Sequence, residues 1–282
     1  MLKLLLTGST GFIGSNILSE ISKNCIVFIT SRKKKKISKN KNITEINFKN
    51  YDDLNLKLKK IRVDAIIHCA THYVKNHTYA DIKKLAESNI LFGNIILENI
   101  KQMRVKKIIN FATVWENHNG GKNNFLNLYA AYKKSFSILI KYYEKKNPKI
   151  NFYNLIISDT FGKSDNRKKI INVMRQNYRD NKITTVISKN LYLNLLNIMD
   201  LISAIKLILK RKIKSGTYLL KNKNNFNIHD MIQEFNKKSK KKIKIRWLSK
   251  KNIQYRIYGF KKLQYWEPKH SNIQNVIELI KA

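Results

Sequence analysis

Apolar residues in this 282-residue chain fall first in short unbroken runs and then at helical spacing. Residues 2–6 (LKLLL) form one such run, and a stretch with apolar positions three and four apart follows at 12–22. The alternation recurs, with runs at 25–30, 64–69, 107–111 and 152–157, a shorter one at 43–48, and helical periods at 52–60, 82–103 and 129–146. A run of five or six apolar residues fits a strand buried on both faces, and strands separated by crossover helices lie parallel. The pattern predicts a doubly wound α/β fold, a parallel sheet with helices on both faces. From residue 158 the rhythm breaks into shorter pieces, with helices near 200–211, 228–237 and from 271, and a strand at 217–220. Two parts are expected: a regular domain over 1–157 with a return segment near 190–212, and a smaller α/β lobe formed mainly by 158–282.

Composition narrows the partners. With 43% hydrophobic residues and two prolines the chain can bury enough apolar surface to fold. Cys25 and Cys69 sit in apolar runs, which suits a reducing, cytoplasmic setting rather than a disulfide framework. No stretch approaches the roughly 20 apolar residues of a membrane span, and the apolar opening runs straight into glycines, so it reads as structure and not as an address. The formal net charge is +39, but 48 of the 57 basic residues are lysines spread along the whole chain. Nucleic-acid readers concentrate charge on one face and favour the arginine fork, so nucleic acid is not the expected partner. The charge does favour fast capture of a small anion.

The first apolar run ends in TGSTGFIG. Gly8 permits a tight turn, Gly11 lets backbone approach a pyrophosphate, Gly14 lets the helix pack on the strand, and the helix N-terminus offers free N–H groups. This is a dinucleotide turn, and the regular domain is read as a Rossmann domain with the irregular part as its substrate lobe. At the end of the second run, where NAD-binding chains carry an acidic residue for the ribose, the chain reads Thr30-Ser31-Arg32-Lys33. A hydroxyl and a guanidinium match a 2′-phosphate, so NADP(H) is preferred over NAD.

Tyr129 and Lys133 stand four apart at the start of the helix after the fifth strand. There the ammonium is expected to lower the phenol toward working pH, so that it passes a proton to or from a substrate oxygen. Spacing alone does not single it out, since six of the 14 tyrosines have Lys at the fourth position on. Position does, because this helix starts at the carboxyl edge of the sheet, the ligand side of such folds. His68, Cys69, His72 and His77 lie close together, but their order does not match a structural zinc site and no metal is expected.

TGSTGFIG, IIHCAT, Asn89, FATVW, NLYAAYKKSF, SDTFGKSDNR and YWEPKHSN, in this order along the chain, resemble the extended short-chain dehydrogenase/reductase superfamily. The details are similar to its nucleotide-sugar branch of 4-keto-6-deoxyhexose reductases. The resemblance implies a cofactor site of Thr7, Gly8, Thr10, Gly11, Phe12, Ile13, Gly14, Ser31, Arg32, Cys69, Ala70, Thr71, Tyr129 and Lys133. It makes Tyr129 the general acid/base and Lys133 the residue that tunes it. The family's substrate-binding Ser or Thr is replaced here by Phe111, so Thr113, two residues on and on the same face, is the expected substitute. His72, Tyr73, Asp159 and Arg167 are expected on the substrate side, with Lys163 near the diphosphate; Asp159 stands where much of the superfamily has Asn. The implied activity is NADPH-dependent reduction of a nucleotide-linked 4-keto-6-deoxyhexose for surface polysaccharide, in a chain that pairs as a homodimer. The alternatives are an epimerase or dehydratase with tightly held NAD, and a non-catalytic dinucleotide- or RNA-binding protein.

Overall fold

A computed structural model describes residues 1–32, 40–254, 257 and 260–282. The apolar runs form β1 (Leu2–Thr7), β2 (Cys25–Ser31), β3 (Ile43–Asn47), β4 (Ala65–His68), β5 (Lys107–Thr113) and β6 (Asn151–Ile157). Among the described residues these join Gly216–Leu220 and Lys261–Lys262 in one eight-stranded sheet, which runs Lys261–Lys262, Gly216–Leu220, β6, β5, β4, β1, β2, β3. Every pairing in it is parallel. Strand order reverses between β1 and β4, and a crevice opens at their carboxyl ends.

The helices are α1 (Phe12–Ile21), α2 (Tyr51–Lys59), α3 (Tyr79–Ala86), α4 (Phe92–Glu98), α5 (Leu128–Lys146), α6 (Ile170–Arg179), α7 (Ile198–Lys210), α8 (Ile228–Lys237) and α9 (Ile273–Lys281). Side-chain alternation splits the sheet's packing in two. Leu4 and Leu6 face Ile17 of α1 and Leu201 and Ile205 of α7, while Leu5 and Ile66 face Leu54, Ile96 and Phe136 on α2, α4 and α5. A separate apolar cluster joins α6, α8 and α9 around Met174, Phe235 and Ile277. That cluster lies with the short strand pairs Asp159–Phe161 with Leu195–Asn197, and Ile245–Trp247 with Thr184–Val186.

Two local predictions change. The single helix expected over 82–103 begins at a capping box on Thr78 and Asp81, and a π-helical turn at Glu87–Leu91 interrupts it. That turn carries the buried Asn89, whose bonds to the loop after β4 account for the widened helix. The second change is α6, which the apolar pattern does not predict; it is strongly amphipathic, and its apolar face meets α9, far along the sequence. Among the described residues no helix is long and apolar enough to cross a membrane.

Candidate active site

The glycine turn works by exclusion of side chains. Gly8 has φ +69°, and a Cβ there would stand 2.6 Å from the Ala70 nitrogen; a Cβ on Gly14 would stand 2.1 Å from the Gly8 oxygen. Both positions are closed to any larger residue by the protein itself. Gly11 differs, since its added Cβ would only touch the Gly8 oxygen at 3.5 Å. It caps α1 without a side-chain hydrogen bond and without an acidic residue in the first turn. Exposed backbone, free N–H groups and positive helix end together fit a diphosphate, so the residues present suit a dinucleotide.

The crevice is tied across its base by Thr7. Its hydroxyl accepts from the Ala70 N–H at 3.1 Å and shares a hydrogen bond with His68 Nδ1 at 2.9 Å. His68 is 4% exposed, and burial pushes it down to about 3, with the Lys133 charge adding to this, so it is neutral here. Burial likewise raises the Cys69 thiol far above its ordinary value.

At the end of β2, Ser31 and the exposed Arg32 lie where the sequence places them, and Lys33 is outside the described residues. The expectation that no carboxylate stands there needs correction. Ser31 Oγ donates to the carboxylate of Glu45, which β3 brings alongside because Ile29 and Glu45 are register partners. Sheet pairing, invisible to local sequence, supplies the acid.

Tyr129 starts α5 behind the cap of Asn127, whose side chain accepts from Ala130 N. Its ring meets Tyr73 edge-on at 5.1 Å and Trp115 at 6.5 Å, and Tyr73 and Trp115 meet at 5.7 Å. Desolvation pushes the phenol up to about 12; Glu116 and Tyr73 add to this, while a hydrogen bond with the Thr71 side chain and the charge of Arg167 pull it back. The direction is opposite to that expected from Lys133 alone. Lys133 is 5% exposed and is itself drawn down to about 8 by burial, with Glu116 and Cys69 holding it up.

The Thr71 hydroxyl donates to Asn89 Oδ1 at 3.0 Å; the same oxygen accepts from His72 N at 2.7 Å, and Asn89 Nδ2 donates to His72 O. The loop holding Thr71, His72 and Tyr73 is thereby fastened to the π-turn. His72 Nε2 lies 4.0 Å from Asp81 Oδ1. Phe111 is buried in the core beneath α1 and α7. Thr113 accepts from Trp115 N at 3.3 Å, which leaves its O–H proton to donate elsewhere.

Past β6, the residues expected on the substrate side are largely bound to one another. Arg167 makes two contacts with Asp165, Nε to Oδ1 and Nη2 to Oδ2, both 2.7 Å, and Nη2 also donates to Thr160 O and Oγ1. Its guanidinium lies over the Phe12 ring. Only Nη1 is left for a ligand, so the free diphosphate clamp read from sequence becomes mainly a brace. Asp159 pairs with Lys169 at 2.5 Å, and Lys169 also lies over the Trp115 ring. Lys163 is exposed, and its carbonyl accepts from Arg175.

Glu116 is a site residue that motif reading passed over. It is 1% exposed, accepts from Thr113 N, lies 3.9 Å from Lys134, and is raised by burial. Thr113-Val114-Trp115-Glu116 is a capping-box spacing, the sequence signal that could have found it.

Comparisons with known proteins agree with this architecture. The family model described as the NAD dependent epimerase/dehydratase family matches residues 4–227. A CDP-abequose synthase from Salmonella muenchen is 28% identical over 221 residues, 77% of this chain and 73% of that protein. A dTDP-D-glucose 4,6-dehydratase from Dictyostelium discoideum is 27% identical over 247 residues, 74% of this chain and 56% of the relative. Among solved structures, a UDP-glucuronic acid 4-epimerase from Bacillus cereus in complex with UDP-glucuronic acid and NAD superimposes with a TM-score of 0.77 at 20% identity, covering 99% of each chain. A UDP-glucose 4-epimerase from Thermus thermophilus in complex with NAD gives 0.79 at 15% identity, over 100% of this chain and 99% of that one. With the model spanning most of the sequence, and the glycine turn and tyrosine where such a fold needs them, this chain belongs to the NAD dependent epimerase/dehydratase family.

Proposed function

We propose that this protein reduces the ketone of a nucleotide-linked 4-keto-6-deoxyhexose with NADPH, a step in nucleotide-sugar biosynthesis for surface polysaccharide. The observation that carries the reading is the Tyr129 phenol, ringed by Tyr73 and Trp115 and bonded to Thr71, on the same sheet edge as the glycine turn. A phenol raised to about 12 is protonated at neutral pH, so it has a proton to give to a carbonyl oxygen as that oxygen becomes an alcohol. The CDP-abequose synthase likeness supports the same class of substrate. The dinucleotide, held by Gly8 to Gly14 with Ser31, Arg32, Cys69, Ala70, Thr71 and Lys133, supplies the hydride when bound. Tyr129 gives the proton, and the free O–H of Thr113 or a water stabilises the oxygen in place of the hydroxyl absent at Phe111. The part of the chain after residue 158 binds the nucleotide sugar, with Asp159, Tyr73 and His72 on its rim. Pairing of two copies through α3 and α5 belongs to this reading and is supported by the exposed Ile82, Ile138 and Tyr142.

A second reading, an epimerase or dehydratase with tightly held NAD, is favoured by Glu45 beside Ser31, since a carboxylate there suits a ribose hydroxyl and repels a 2′-phosphate. Fluorescence titration with NADPH and NADH, followed by assays on CDP-, dTDP- and GDP-linked 4-keto-6-deoxy sugars, separates the two. Stoichiometric NADPH oxidation is expected. Turnover without net cofactor consumption would point to the second reading, and failure to bind either dinucleotide would overturn both.

A further inference from the structure

Beyond Tyr129, the loop after β5 and the end of β6 border a shallow open cleft lined by Trp115, Ser158, Asp159, Tyr192 and Asn194 among others. Most polar groups around it already have partners. Asp159 is paired with Lys169. The Asn194 amide donates to Asn222 O and Asn225 Oδ1, and its oxygen accepts from Asn222 N. Ser158 has no such partner. The residue is 5% exposed and its backbone N–H bonds Leu220 O at 3.2 Å, yet its hydroxyl is buried with no hydrogen-bond partner. A buried hydroxyl without a partner is costly to the folded chain, and a ligand that supplies the partner relieves that cost.

We infer that Ser158 is a specificity-determining residue, whose hydroxyl hydrogen-bonds a hydroxyl of the hexose seated between Trp115 and Tyr192. The inference rests on the nucleotide-sugar reading above and adds the contact that tells a sugar nucleotide from the bare nucleotide. The chemistry suits the site. A hexose presents apolar C–H faces to aromatic rings and hydroxyls at its edges, and a serine, being both donor and acceptor, pairs with a hydroxyl in either direction. Because the hydroxyl has no bond within the protein, its loss removes nothing that holds the ligand-free fold together.

The test is calorimetric titration of wild type and Ser158→Ala, in the presence of the dinucleotide, with CDP-, dTDP-, UDP- and GDP-glucose and with the matching free nucleoside diphosphates. For whichever sugar nucleotide the wild type binds, Ser158→Ala is expected to weaken affinity about tenfold while leaving the free diphosphate within about twofold. The melting temperature of the ligand-free variant is expected to equal or exceed that of wild type. Ser158→Thr, which keeps the hydroxyl, is expected to retain more of the sugar affinity than alanine does. Equal losses for sugar nucleotide and diphosphate, no loss for either, or a marked fall in ligand-free stability would each overturn the role of Ser158. A wild type that binds the free diphosphates but none of the sugar nucleotides would overturn the proposed function as well.

Discussion

The guanidinium of Arg167 lies over the ring of Phe12, its Cζ 4.4 Å from the ring centroid, while Asp165 grips its edge through Nε and Nη2. The segment after β6 is thus braced against the first residue of the helix that follows the glycine turn. Arg167→Ala leaves the Asp165 carboxylate, 1% exposed, without its charged partner, though the backbone N–H of residue 167 still donates to it. A loss of about 3 kcal/mol in unfolding free energy is expected, measured by denaturant titration. Arg167→Lys keeps charge but not the fork, and should recover less than half of that loss.

Glycine substitutions should separate folding from binding. Gly14→Ala drives a methyl into the Gly8 carbonyl and is expected to yield insoluble or unfolded protein. Gly11→Ala meets only ordinary contact, so it should fold with a melting temperature within about 3 °C of wild type. Its dinucleotide affinity should nonetheless fall, because the methyl occupies the approach to the helix end. Equal thermal damage from the two changes would contradict this division.

The proposed NADPH preference turns on two opposed charges at the end of β2, Arg32 and Glu45. Arg32→Ala is expected to weaken NADPH about tenfold and NADH little. Glu45→Gln removes the carboxylate bonded to Ser31 and should strengthen NADPH relative to NADH. Paired titrations of both variants read this ratio directly, and an unchanged ratio in both would assign selection to other residues.

Lys133 is drawn down to about 8, so under the proposed reduction it is expected to set the alkaline limit of activity. As pH rises through about 8 the ammonium becomes neutral, so kcat/KM should decline there, whereas the phenol at about 12 stays protonated well beyond. Glu116 holds both groups up, so Glu116→Gln should move the decline to lower pH. Tyr129→Phe should cut kcat by about 100-fold or more while NADPH still binds.

The same lysine costs stability. Its pKa is lower in the folded chain than the ordinary 10.5, so the unfolded chain binds the extra proton and the penalty is fully present below about 8. Lys133→Met is expected to melt higher than wild type at pH 7, by up to about 3 kcal/mol in stability. The gap should close as pH rises from 8 toward 10.5, a trend thermal melts across that range would reveal.

The sequence alone determined the strands, the crossover helices, the glycine turn and the placing of Tyr129 at the sheet's carboxyl edge. Apolar periodicity and backbone sterics act over a few residues, and so they can be read along the chain. What surrounds that tyrosine was decided by tertiary structure. Glu45 reaches Ser31 through strand pairing, and Asn89 holds Thr71 from a π-turn 18 residues away. Glu116 and desolvation reverse the expected effect of Lys133 on the phenol, and Asp165 takes the arginine that looked free for a ligand. Hydrogen bonding and desolvation depend on distances between groups far apart in sequence, and these exist only once the chain has folded.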